Sequence, residues 1–145
     1  IKKGIEEGAK VEIGGERHGS EGYFVQPTIF SNVKETDTIS KHEIFGPVLV
    51  TSTFRDTEDL LAKANDSYYG LAAAVFSRDI SRALDTAHRL QAGTVWVNLY
   101  NALDAQVPFG GFKQSGIGRE LGQYALANYT NVKSVHVNIS IPHPF

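Results

Sequence analysis

Residues 47–100 read strand, helix, strand, helix, strand, and this order predicts an α/β fold with parallel strands. Three observations carry that prediction. Each helical stretch has an apolar stripe and a glycine stop, and 56–70 also has an acidic or hydroxyl cap. The apolar runs between and after them are of strand length. The connections are short, as expected where a helix returns the chain to the same sheet.

The elements follow in order. "IKKGIEEGAK" (1–10) reads as the last turns of a helix already under way. "KVEIGG" (10–15) alternates and ends in a glycine pair, so it predicts a short strand. "GYFVQPTIFSNV" (22–33) has a β-branched and aromatic bias, and Pro27 makes it an edge or interrupted strand. "TISKHE" (38–43) is ambiguous, whereas "PVLVTSTF" (47–54) is a strand. "DTEDLLAKANDSYYG" (56–70) is the clearest helix: Asp56 or Thr57 caps it, Leu60, Leu61 and Ala64 form its stripe, and Gly70 ends it. "LAAAVFS" (71–77) is a buried strand. "DISRALDTAHRLQAG" (79–93) is an amphipathic helix with Ile80, Ala83, Leu84, Ala87 and Leu90 on one face and Gly93 as its stop. "TVWVNLY" (94–100) is a third buried strand, and 101–118 is a long irregular segment of the kind that carries function. "RELGQYALANYT" (119–130) predicts a helix. "VKSVHVNIS" (132–140) alternates, with Val132, Val135, Val137 and Ile139 as candidates for one buried face apart from a register slip. A lone strand of this kind needs an edge to pair with, such as one on another subunit.

Composition bounds the function. A chain of 145 residues, 41% hydrophobic and 21% charged, is the size and make-up of one globular domain. A net charge of −2 offers no electrostatic reason for nucleic acid or an anionic membrane as partner. No apolar run approaches the roughly 18 residues of a membrane span, and no stretch reads as a signal peptide. The N-x-[ST] triplets at Asn65, Asn128 and Asn138 are therefore read as chance matches. Without cysteine there is neither a disulfide nor a thiol nucleophile. The chain also lacks methionine and starts at Ile1, which predicts a piece of a longer protein.

"PFGGFKQSGIGRELG" (108–122) holds five glycines and invites reading as a phosphate loop. It misses the dinucleotide fingerprint, because Leu121 stands where the third glycine is required and no strand precedes it. It misses the P-loop as well, since no Ser or Thr follows Lys113. Two readings stay open beside the nucleotide one: a tight turn with positive φ before a helix, or a loop passing close to a ligand held elsewhere. The five histidines show no ligand spacing, so no metal site is expected. Glu43 and Glu120 lie beside glycine-containing segments, where site carboxylates and plain surface carboxylates both occur.

Taken together, "HEIFGPVLV" (42–50), "NDSYYGLAAAVFSRD" (65–79), "LQAGTVWVNLY" (90–100) and "PFGGFKQSGIGRELG" (108–122) resemble the C-terminal portion of the NAD(P)-dependent aldehyde dehydrogenases, in the family's order. "GYFVQPTIFSNV" and "YTNVKSVHVN" extend the resemblance to essentially the whole chain. It implies that 1–128 is the C-terminal part of a catalytic domain, and that 129–145 is an oligomerisation strand and tail building a homodimer or homotetramer. It further implies that Glu43 binds the nicotinamide ribose hydroxyls of NAD or NADP and that Phe45 packs near the nicotinamide. Asn101, Leu103 and Phe109 would line the pocket for a small aldehyde, and Glu120 matches a family glutamate on a proton-relay path. Leu103 stands where many broad-range members carry an aromatic, which implies a wider tunnel. Arg119 and Asn131 match positions near a subunit interface, although the family often has an acid at the latter. The implied reaction oxidises an aldehyde to an acid through a cysteine thiohemiacetal. Neither that cysteine nor the water-activating glutamate matches any residue of this chain, so the chain alone is expected to be inactive. The alternatives are a non-catalytic binding or oligomerisation module, and a semialdehyde or betaine-aldehyde member of the family. Cytoplasm is the default compartment; the coenzyme's 2′ preference is left open.

Overall fold

Pro27 leaves no N–H to donate; an isolated Arg17–Val25 bridge precedes it, and the continuous strand starts at the next residue. In the computed structural model, which describes residues 1–139, β1 (Lys10–Ile13) and β2 (Thr28–Ser31) run antiparallel, and β2 pairs parallel with β3 (Val48–Val50). The β1–β2 register slips between Val11 and Ile13, a bulge that bends β1 before Gly14 and Gly15. Both glycines have positive φ, and a Cβ on Gly14 would lie 2.1 Å from the Pro27 carbonyl oxygen. Thr28 secures the turn: its hydroxyl accepts from the Gly15 N–H at 2.9 Å and donates to the Gln26 carbonyl at 2.8 Å.

The residue at the centre of this sheet is Phe30, fully buried against Ala9 and Ile39 and ringed by half-buried Val11, Val48 and Val50. Ile39 reaches it from α2 (Thr38–Lys41), the helical outcome of the ambiguous 38–43 stretch. Glu7, at the end of α1 (Lys2–Glu6), accepts at 2.7 Å from both the Thr38 N–H and the Thr38 hydroxyl, closing the start of α2. These bonds, the hydroxyl's first, hold the Glu7 carboxyl below its ordinary range. A lowered folded-state pKa gives stability that is complete above the unfolded value of about 4.3 and is lost as pH falls through the folded one. The loss of Tm on moving from pH 7 to pH 4 is therefore expected to shrink in Glu7→Gln; an unchanged loss would remove Glu7 from the acid response.

The second half follows the predicted strand–helix–strand order. Asp56 caps α3 (Thr57–Asn65) by accepting from the Asp59 N–H at 2.9 Å, and Asp79 caps α4 (Ile80–Arg89) through the Arg82 N–H at 3.1 Å. The helices are joined by Arg89, whose Nη2 lies 2.8 and 2.6 Å from the Glu58 carboxylate oxygens and draws that carboxyl's pKa down. β5 (Ala72–Val75) and β6 (Thr94–Val97) pair parallel, Ala72 against Thr94 through Val75 against Val97, with α4 between them in sequence and packed on both. The burial of α4 falls on Ala83 and Thr86, while Ile80 and Leu84 of its expected stripe are exposed.

Two expectations need correction. The strands of 47–100 do not make one sheet: β3 pairs with β2, and β5 pairs with β6 in a separate two-stranded sheet. The β-α-β order fixes strand direction and crossover, but not which strands are neighbours. Residues 119–130 are not an α-helix. The backbone of Glu120 instead pairs with that of Phe109, both N–H to carbonyl distances being 2.8 Å. Leu121 and Gly122 then turn through positive φ, and only a 3₁₀ helix, Gln123–Asn128, follows. Residues 132–139 join no ladder within this chain among the described residues, and Val132, Val135, Val137 and Ile139 are exposed. Residue 140 and the tail lie outside the described residues.

Candidate active site

A two-stranded antiparallel ribbon brings the glycine segment to the rest of the chain. β4 (Tyr69–Gly70) pairs with β7 (Phe112–Lys113). The Lys113 ammonium donates to the Asn65 and Ser67 carbonyls at 2.7 and 3.1 Å, and the Gly70 N–H donates to the Ser115 hydroxyl at 3.0 Å. Glycines here serve close chain contact or a positive φ: a Cβ on Gly93 would stand 1.7 Å from the Gly110 carbonyl oxygen and one on Gly111 would meet Ser115 at 2.4 Å, while Gly116 sits in open space at φ 120°. Arg119 fills the inside of the turn, donating to the Gly111 and Gly118 carbonyls at 2.9 and 2.8 Å with its guanidinium over the Phe112 ring. This is the close-packed turn, not a phosphate cradle.

Beside this turn lies a cleft of about 700 Å³ between β3 and the start of β5. Glu43 and Phe45 line it, together with Tyr69, Gln91, Tyr100 and Ser115. Glu43 is exposed to the cleft, and Phe45 shows 89% of its surface at a positive φ of 55°. A bulky residue in that conformation is strained, and such strain persists where the surroundings impose it, commonly beside a ligand. An exposed carboxylate supplies acceptors for a vicinal diol, and an open aromatic face supplies a packing surface for a flat heterocycle. The donor set therefore fits the ribose and ring of a nicotinamide coenzyme. Among the described residues, no cluster of three His, Asp or Glu could hold a metal ion, and no helix is long and apolar enough to cross a membrane.

Asn101, Leu103, Phe109 and Glu120 are not on the cleft's lining. Asn101 and Leu103 lie on the exposed loop 99–107 that continues from β6, next to Tyr100, the loop residue that does reach the cleft. Phe109 and Glu120 face each other across their backbone bridge at the loop's far end. The N-terminal foot of the loop is Asn98, also at positive φ: its side-chain oxygen accepts from the Ser77 N–H at 2.8 Å and its amide donates to the Ser77 carbonyl at 3.0 Å. Sequence reasoning missed Asn98, Tyr100 and Ser115. Only Asn98 carried a usable signal, an Asx residue that tolerates positive φ at the end of a strand.

The chain matches the family model for the aldehyde dehydrogenase family over residues 1–135. It is 62% identical to an aldehyde dehydrogenase of Agaricus bisporus, with 97% of this chain and 28% of the relative covered. It is 54% identical to aldehyde dehydrogenase 1A1 of Homo sapiens, again over 97% of this chain and 28% of the relative. Among solved structures, the NAD+ complex of a Bacillus cereus aldehyde dehydrogenase superposes with a TM-score of 0.91 at 56% identity, covering 96% of this chain and 28% of that one. The chain thus spans little more than a quarter of the length of these relatives, and across that span it belongs to the aldehyde dehydrogenase family.

Proposed function

We propose that this chain is the C-terminal part of the catalytic domain of an enzyme that oxidises small aldehydes to carboxylic acids with NAD+ or NADP+. The observation that carries the reading is the placing of Glu43 and strained Phe45 together on one cleft, in a chain that superposes on an NAD+-bound family member. The coenzyme, when bound, supplies the hydride acceptor. Glu43 accepts the two ribose hydroxyls, and Phe45 packs beside the ring, so that the ring is held for transfer. The loop 99–107 and Phe109 shape the aldehyde pocket, with Leu103 leaving room where an aromatic would narrow it. Glu120, with its backbone fixed against Phe109, holds a proton-relay position at the rear of that pocket. The chain has no cysteine, so the thiol that attacks the carbonyl comes from elsewhere in the protein. The exposed apolar residues of 132–139 support pairing of this segment with a second subunit, as a homodimer or homotetramer.

The full-length protein is expected to produce NADH or NADPH from acetaldehyde, followed by absorbance, while residues 1–145 alone turn nothing over. Glu43→Gln, which retains one acceptor and loses the charge, is expected to lower kcat/KM for the coenzyme about tenfold or more. Full activity in that variant would sink the assignment of Glu43. A reduced-coenzyme signal from residues 1–145 alone would refute the requirement for an external thiol.

A further inference from the structure

We infer that Trp96 is a positioning residue that places the 99–107 loop and thereby sets discrimination between short and long aldehydes; this rests on the reading of that loop given above. Trp96 is the buried residue of β6, at 8% exposure, whereas residues 99–107 are all exposed. Its indole N–H, which can only donate, donates to the Ala102 carbonyl at 2.8 Å, between Asn101 and Leu103. The Tyr100 ring meets the indole edge-on, with centroids 5.6 Å apart and planes at 66°. Elsewhere the loop is held by the Asn98–Ser77 pair at its start, by the Gly122 N–H on the Ala105 carbonyl at 3.0 Å in its second half, and by Asp104 within the loop itself. Among the described residues, Trp96 is the one sheet side chain that grips the middle.

The grip falls on the two residues assigned to the aldehyde pocket. Asn101 is locked at a positive φ of 55° immediately before the gripped carbonyl, and Leu103 follows it. Releasing Ala102 lets that turn relax and carries both side chains with it. A two-carbon aldehyde is held chiefly at its carbonyl, but a six-carbon one extends along the loop, so the two substrates report on different parts of the site. The coenzyme contacts proposed at Glu43 and Phe45 lie on another segment, and both altered forms keep an aromatic face for Tyr100, the loop residue that lines the same cleft.

The test uses the full-length protein in two altered forms. One is Trp96→Phe. The other carries benzothienylalanine at position 96, in which sulfur replaces the N–H and the bicyclic shape is kept, so that folding is preserved. KM and kcat are measured for acetaldehyde and hexanal, with KM for the coenzyme and Tm alongside. KM for hexanal is expected to rise about fivefold, the factor carried by one net hydrogen bond, with kcat, acetaldehyde KM and coenzyme KM unchanged. An equal loss on both aldehydes, or no change in the benzothienyl form, overturns the inference, since a purely structural indole does not separate the two substrates. If the unaltered enzyme oxidises neither aldehyde, the functional reading falls and this inference with it. Oxidation by the unaltered enzyme with no separation in the variants overturns the role of Trp96 alone.

Discussion

Gly93→Ala is expected to cost the full-length protein about 3 kcal/mol or more in unfolding free energy, because the added methyl meets backbone that has nowhere to go. Its Cβ would sit 1.7 Å from the Gly110 carbonyl oxygen and 3.3 Å from the Gly111 Cα, inside contact distance of two residues of the same turn. No rotamer relieves such a clash, so either β6 or the 108–120 segment must move. Gly93 immediately precedes β6, and its N–H donates to the Gly70 carbonyl at 3.0 Å, so movement there also opens the β5–β6 ladder. The measurement is a urea midpoint compared with that of Gly46→Ala, where an added Cβ has nothing within 4 Å. Equal midpoints for the two variants would show that the turn yields freely.

Phe30→Ala is expected to destabilise by about 4 kcal/mol. The side chain is wholly buried, is paired through its backbone to both β1 and β3, and packs on Ala9 and Ile39. Backbone paired on both sides limits how far the sheet can collapse into the space left, which places the cost toward the upper part of the range for such truncations. Phe24→Ala is the matched control, since that ring is 66% exposed. Chemical unfolding of both variants decides the matter, and similar midpoints would remove Phe30 from the centre of the core.

What the sequence carried well was local. The cap at Asp56, the stripe residue Leu61 and the strand runs at 72–75 and 94–97 all arise from interactions a few residues long. What it carried badly depends on partners far along the chain. Whether β3 lies beside β2 or β5 is decided by packing across the molecule. The 119–130 stretch has fair helix composition, yet the pairing of Glu120 with Phe109 takes its first turn away. Glu43 and Phe45 are proposed as site residues from family resemblance alone, and the structure places both on the lining of one cleft. Asn101, Leu103 and Phe109 are proposed from the same resemblance, but that they stand off the cleft lining is a property of the loop's fold. Trp96 read only as a buried strand residue, because nothing in "TVWVNLY" says where an indole N–H will point.

The grip on the loop has a bearing on how such a protein can be altered. Trp96 and the Gly122 N–H both hold main-chain carbonyls, those of Ala102 and Ala105, and are indifferent to the side chains attached there. The stretch between Asn98 and Pro108 is thus a cassette held largely through its backbone: apart from Tyr100, packed on Trp96, and Asp104, which accepts from the Gln106 N–H, its side chains take no part in these fixings. Segments of equal length that keep Tyr100 and Asp104 are expected to be delivered to the same place. If the proposed role of the loop holds, swapping the cassette alters substrate preference with β5, β6 and the glycine turn left untouched.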